Sequence, residues 1–439
     1  MQSSAPAVAW GLPFAGLLAS MAVFPIVAPR FWHRRMWGVA FAWSAVLVLC
    51  QALASGPCAA AAAVRHALLI DYLPFVTLLL ALYTAGGGVL LRGGPAGTPG
   101  GNTAMLALGM AMAVPMGTTG ASMVLIHPLL RANAHRRRKV HLVLFVIVMI
   151  ADASGALTPL GNPPLYIGLL QGVPFFWPAI HLLAPLLIVV APLLASFYLI
   201  DRHLAASEPP APRAERWRVR GWGNLALILL VILVVLAQGF APPRAITLLG
   251  EPVVLAQLGG VAVLVLVTLV SAAFTPRAIR QSNDFTWHPI AEVAILFAAI
   301  FITIGPVSAM LEAGLDGPLA PLLRLSRDNA GQNNPLIFFW LTGILSALLD
   351  NAPTYLVFFK LAGIRPPALS GTDGVTLMAV SAGAVFFGGL TYIGNAPNMM
   401  LRAIAAHRGV RMPGFFGYSL LASTLLLPIL ALVGLVFFG

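Results

Sequence analysis

Apolar residues run through this chain in blocks of about 20, the length a helix needs to cross a bilayer. Ten blocks meet that length: residues 8–29, 37–54, 67–91, 140–170, 178–200, 224–238, 252–274, 290–311, 375–404 and 415–438. Two further apolar stretches, 103–130 and 335–361, are interrupted in the middle by helix breakers and small polar residues. The first reads MGTTGAS at 116–122 and the second LDNAPT at 349–354. Each is predicted to enter the membrane and turn back as a re-entrant hairpin. The pattern therefore predicts an all-α polytopic membrane protein.

Composition narrows the class. Of 439 residues, 59% are hydrophobic and only 9% are charged, with a mean hydropathy of +0.93. An ordinary soluble chain carries roughly a quarter charged residues. An ordinary soluble enzyme, a disordered chain and a nucleic-acid-binding protein are excluded together, and nothing in the chain suggests catalysis of a covalent reaction. Cys50 and Cys58 make neither a disulfide framework nor a metal site. No basic residue precedes Arg30, so the first apolar segment reads as a span and not as a secretory leader.

The net charge of +12 is a topology signal. If both interrupted stretches are hairpins and the loop with Arg30, Arg34 and Arg35 is cytoplasmic, 19 of the 25 basic residues fall on the cytoplasmic side. The other side keeps Arg65, Arg244, Arg324, Arg327, Lys360 and Arg365. That bias is the one the positive-inside rule expects. It places both termini in the periplasm of a bacterial inner membrane. Full spans in place of hairpins would put the cluster Arg131–Lys139 outside. Trp177, Trp217, Trp222 and Trp287 read as an interfacial belt.

The chain also repeats itself. LTPLGNPPL at 157–165 and LTYIGNAPN at 390–398 share Leu, Thr, Gly, Asn and Pro at matching positions, 233 residues apart. TGAS at 119–122 falls opposite NAPT at 351–354, and Asp71, opening the third span, opposite Glu292, opening the eighth. The domains read as a first repeat, 1–205 (hairpin 103–130, broken helix 140–170), a cytoplasmic linker, 206–222, and a second repeat, 223–439 (hairpin 335–361, broken helix 375–404). Five crossings per repeat is odd, so the second repeat is inverted. Paired interrupted helices in inverted repeats mark a secondary transporter, with its site where the interruptions meet.

The interruptions carry oxygen chemistry. Pro163, Pro164 and Pro397 lack the N–H a helix needs, and each pushes its predecessor out of the helical region. Carbonyls freed at membrane depth need a cation, water or a facing polar group. Thr158, Asn162, Thr391 and Asn395 add oxygens at the same level, and the tips supply Thr118, Thr119, Ser122, Asn351 and Thr354. Such a set suits a small hard cation, although the half-helix N-termini suit a carboxylate as well. Asp152 and Asp350 lie in the membrane interior, where an acid is costly and marks function. A buried carboxylate can hold a proton and a cation in turn. Asp71 and Glu292 read as caps near helix starts, His127 as a packed neutral side chain, and Lys360 as a snorkelling one.

At these residues the chain resembles the ion transporter superfamily, which includes the citrate-transporter-like, divalent anion/Na+ symporter, arsenite and NhaD-type Na+/H+ antiporter families. HPIAEVAILF at 288–297 is similar to the sodium:proton antiporters of the citrate-transporter-like group. The resemblance implies two pseudo-symmetric cation sites and a homodimer. It sets Thr119 and Ser122 against Thr158, Gly161, Asn162 and Pro163, and Asn351 and Thr354 against Thr391, Gly394, Asn395 and Pro397. Na+ is then expected at Thr119, Ser122 and Asn162, and again at Asn351, Thr354 and Asn395. Dicarboxylate symporters carry Ser-Asn-Thr at both tips, and this chain does not, which argues against a dicarboxylate. The reading is exchange of Na+ (or Li+) for H+ through Asp152 and Asp350, with no cofactor. Its partners are small ions and the lipid bilayer, with no nucleic acid. The alternative is Na+- or H+-coupled symport of an organic anion such as citrate or a dicarboxylate.

Overall fold

The computed structural model describes residues 8–439 except 212, 243, 329, 330, 365, 367, 368 and 370. Arg365, assigned above to the external side, lies outside the described residues. Among the described residues ten helices are long and apolar enough to cross a membrane, from Val8–Val27 to Phe415–Phe437. Each overlaps one of the ten blocks of the sequence. Two two-stranded ladders, Leu90–Gly94 with Glu215–Arg220 and Ala245–Leu248 with Glu251–Val254, are minor additions to a helical molecule.

Burial separates inner from outer helices. In Val140–Leu157 and Thr372–Leu390, 89% and 83% of the apolar window is buried, against 17% in Pro29–Ser55. The two broken helices are therefore the core. Helices such as Pro29–Ser55 and Phe415–Phe437 display Phe41, Leu53, Phe416 and Leu435 outward. In water such surfaces would be a liability; against lipid they are the solvated face.

Both interrupted stretches fold as helical hairpins. Pro99–Met116 turns at Gly117 into Thr118–Ala132. Pro335–Leu348 turns at Leu349 and Asp350 into Asn351–Leu361. Each hairpin starts with a side-chain cap followed by proline. Thr98 accepts from the Gly101 N–H, and Asn334 from the Ile337 N–H, both at 3.2 Å.

Contacts between distant segments gather at two ends of the molecule. At one end lie the arginine-rich loops. Glu208 accepts the backbone N–H groups of Arg137 and Arg138, each at 2.9 Å. Arg408 meets Asp284 at 3.4 Å. The base of the first hairpin is fastened there by buried Asp201, which accepts from Asn102 (2.8 Å), His141 (2.8 Å) and Arg136. At the other end Arg65 and His66 hold Glu251 at 3.1 and 3.0 Å, and Lys360 pairs with Glu312 at 3.0 Å. The first hairpin thus opens toward the basic end and the second toward the opposite end. Lys360, expected to snorkel, is ion-paired.

One expectation is corrected. The third span starts at Pro57, not near Asp71. Pro57 at the helix start and the run Ala59–Ala63 extend the helix beyond the apolar block. Asp71 lies inside the span, in a π-helical turn, Ala67–Tyr72. Glu292 does sit in the first turns of His288–Glu312, within 3.5 Å of His288 and 3.9 Å of His33.

Candidate functional site

The two helix breaks are built from the same bonds. Thr158 donates its hydroxyl to Val114 O at 2.6 Å and accepts from the Gly161 N–H at 3.1 Å. Exactly 233 residues on in the numbering, Thr391 donates to Ala347 O and accepts from the Gly394 N–H at 3.0 Å. Each threonine ties its break to the first arm of the neighbouring hairpin. The chain crosses itself closely at both places. A Cβ on Gly161 would lie 2.7 Å from Gly155 O, and one on Gly394 would lie 2.5 Å from Gly388 O. Only glycine fits there. Pro163 and Pro397 stand in the first turn of the half-helices Pro163–Leu170 and Ala396–His407, which begin after Asn162 and Asn395.

The hairpin tips meet these breaks. The Thr118 N–H donates to Gly161 O at 3.0 Å. Asn351 of the second tip donates to Asn162 of the first break at 2.9 Å, a side-chain bond joining the two halves of the chain. Asp350 caps its helix, accepting from the Ala352 N–H at 3.3 Å, while its backbone carbonyl accepts the Thr354 hydroxyl at 2.8 Å. Asn395 donates to Ala151 O at 2.8 Å. Four half-helix N-termini, at Thr118, Pro163, Asn351 and Ala396, therefore converge, and their dipoles favour negative charge between them.

Asp152 reads, from its sequence position, as a neighbour of the first break. In the fold it lies against the second. Its carboxylate packs on the backbone of Gly388 and Gly389, where a Cβ on Gly388 would strike Oδ1. The amides of Asn395 and Asn398 are beside it, and the carboxylate of Asp350 acts on it at longer range. The reason is local: Val146–Asp152 is π-helical. The wider turn abandons the 3.6-residue register from which a facing direction would be read.

Several buried polar atoms here make no hydrogen bond to the described residues: Ser122 Oγ, both carboxylate oxygens of Asp152, Asn162 Nδ2, Asn351 Oδ1 and Asn398 Oδ1. Buried polar groups are nearly always bonded, so such a concentration marks a place built for something other than packing. Five of the six atoms are oxygens, the donor type that hard cations take. Thr119 is partly exposed beside them.

Asn398 is the site residue that the motif comparison passes over. It closes LTYIGNAPN where the first copy has Leu165. A polar residue replacing a leucine between matched copies was the available signal. Asn398 donates to both Gly388 O and Thr391 O at 3.1 Å. Tyr418 adds a bond from its hydroxyl to Gly389 O at 2.9 Å and stacks on Tyr392 with ring centroids 4.0 Å apart. His127, expected to be packed, is buried and faces Asp284 at 3.8 Å and Arg408 at 3.4 Å.

Ten apolar spans around a core of two broken helices and two facing hairpins define a polytopic membrane protein of the transporter type. The chain belongs to the family described as "Putative citrate transport", whose model matches residues 3–438. The match agrees with the citrate-transporter-like resemblance of the motifs. An uncharacterized transporter of Synechocystis sp. is 22% identical over 298 residues, covering 61% of this chain and 61% of the relative. Uncharacterized transporters of Mycobacterium bovis and Mycobacterium tuberculosis are each 25% identical over 279 residues, covering 61% of this chain and 60% of theirs. The chain spans about three-fifths of the length of these curated relatives in the matches.

Proposed function

We propose that the protein exchanges Na+ or Li+ for H+ across a bacterial inner membrane by alternating access, the basic end facing the cytoplasm. The observation that carries this reading is Asp152, buried against the second break and within electrostatic reach of Asp350 at the second hairpin tip. Among the described residues neither aspartate forms an ion pair, and the polar side chains nearest the Asp152 carboxylate are the neutral amides of Asn395 and Asn398. A carboxylate so placed binds a cation or a proton, one displacing the other. Hairpins opening to opposite ends give an inverted-repeat frame in which the site is reached from either side in turn. Asp152 exchanges the proton in this scheme, and Asp350, held by its cap, shares the cation. The first break, with Ser122, Thr119 and Asn162, offers neutral oxygens and supports a second cation.

A second reading, coupled uptake of an organic anion, draws support from the convergent helix N-termini and from the family's description. Two nearby carboxylates weigh against it. At ~4 Å and an effective dielectric of ~20, each like-charge contact costs about 4 kcal/mol. Proteoliposomes loaded with a pH dye separate the two. Added Na+ or Li+ should move protons with no organic anion present. Proton movement that requires citrate would overturn antiport and support symport.

A further inference from the structure

A cavity of about 940 Å³ opens at the end of the molecule opposite the basic loops, between helix His288–Glu312, the π-helical turn Ala67–Tyr72 and the second hairpin. Gln51, Asp71, Gln171, Glu312, Leu356 and Lys360 are in its wall. Two of these belong to the ends of the half-helices that start at the site. Gln171 caps Pro163–Leu170, and Lys360 lies in the last turn of Asn351–Leu361. At ~1.5 Å per residue the cavity lies roughly 12 Å from the Asn162–Asn351 bond, along the half-helices themselves.

The charges in the wall do not cancel. Lys360 is neutralised by Glu312 at 3.0 Å. His66, also in the wall, is engaged by Glu251 at 3.0 Å, which Arg65 shares. Asp71 makes no hydrogen bond or ion pair among the described residues; His66 and Lys360 act on it only at longer range. It sits in the π-helical turn Ala67–Tyr72, a distortion that costs regular bonding and recurs at functional positions. A single uncompensated carboxylate inside a low-dielectric vestibule concentrates cations and repels anions.

We infer that Asp71 recruits the transported cation at this mouth, upstream of Asp152 and Asp350, and selects for cations before the site is reached. The inference rests on the cation-exchange reading above. Its test is Na+-driven proton movement in proteoliposomes holding the full chain. Asp71→Asn should raise the KM for Na+ about threefold to tenfold and leave the maximal rate within about twofold, because recruitment acts on encounter and not on exchange. Asp71→Glu should keep the wild-type KM. Lys360→Gln, which frees Glu312, should lower the KM, and Glu312→Gln, which frees Lys360, should raise it. Added choline chloride should shrink all these differences. Thermal midpoints in detergent report whether each variant is folded. An unchanged KM in folded Asp71→Asn overturns the inference, as does a fall in maximal rate at constant KM. If the wild-type protein moves no protons with Na+ or Li+, the antiport reading fails and the recruitment role falls with it.

Discussion

The first break and the second share a frame of bonds and differ in charge. At the first tip, Gly117 turns the chain with φ +79° and the Thr118 N–H bonds to the break at Gly161 O. At the second tip the residue that precedes the helix is Asp350, in extended backbone, whose own carboxylate takes the Ala352 N–H. Asp152, carried on the first broken helix, crosses to the second and packs on Gly388. Asp152 therefore stands at the second break, while Asp350 stands at the second hairpin's tip, whose next residue, Asn351, reaches Asn162 of the first break. Matched bonds position two breaks, and the unrepeated Asp152 gives the second of them a carboxylate. In the proposed exchange the matched bonds supply the frame, and the unmatched acids supply the chemistry.

The strongest way to break this comparison is to remove the acids. Asp152→Asn should reduce Na+-driven proton movement to the level of vesicles without protein, since asparagine keeps the shape and cannot exchange a proton. Asp350→Asn should weaken Na+ binding while some exchange persists, because asparagine still caps a helix. Full exchange by the double variant would sink the assignment of the two aspartates as the titrating groups.

Glycine substitutions come next. Gly388→Ala and Gly155→Ala both overfill their crossings, at about 1–3 kcal/mol each. The first drives a methyl into Asp152; the second meets Asn162 and Thr118, each at 2.8 Å. Both should lower the thermal midpoint, and Gly388→Ala should lose more exchange per folded molecule. Equal losses would mean the two breaks are functionally alike.

Thr158→Val and Thr391→Val probe the shared frame itself. Each removes a hydroxyl that joins a hairpin-arm carbonyl to a break N–H, so each should destabilise by about 1–3 kcal/mol and by similar amounts. A large difference between their thermal midpoints would show that the matched bonds are not equivalent.

The smallest effect belongs to the loops. The N–H groups of Arg137 and Arg138 hold the Glu208 carboxyl below its ordinary value, and His66 with Arg65 does the same for Glu251. A carboxyl lowered by folding contributes stability above the usual glutamate value of ~4.3 and loses it as pH falls through its own lower value. Limited proteolysis of both loops should stay constant from neutral pH down to about pH 5 and rise only in stronger acid. Exchange that varies near neutral pH then does not arise in these loops. Loop cleavage that rises in step with it would reassign that pH dependence.

The sequence alone determined the class and most of the frame. Ten apolar blocks, two interrupted stretches and the matched LTPLGNPPL and LTYIGNAPN are local patterns, and a bilayer leaves such blocks no alternative to helices. The partners of Asp152 and Asp71 were beyond its reach. Both acids lie in π-helical turns, where helical register stops predicting direction, and both are given meaning by residues far along the chain. Asp152 finds Gly388 and Asn398, and Asp71 stands apart while Lys360 finds Glu312. Which buried charge is compensated depends on distances between elements that no local pattern encodes, so only the tertiary structure decided it.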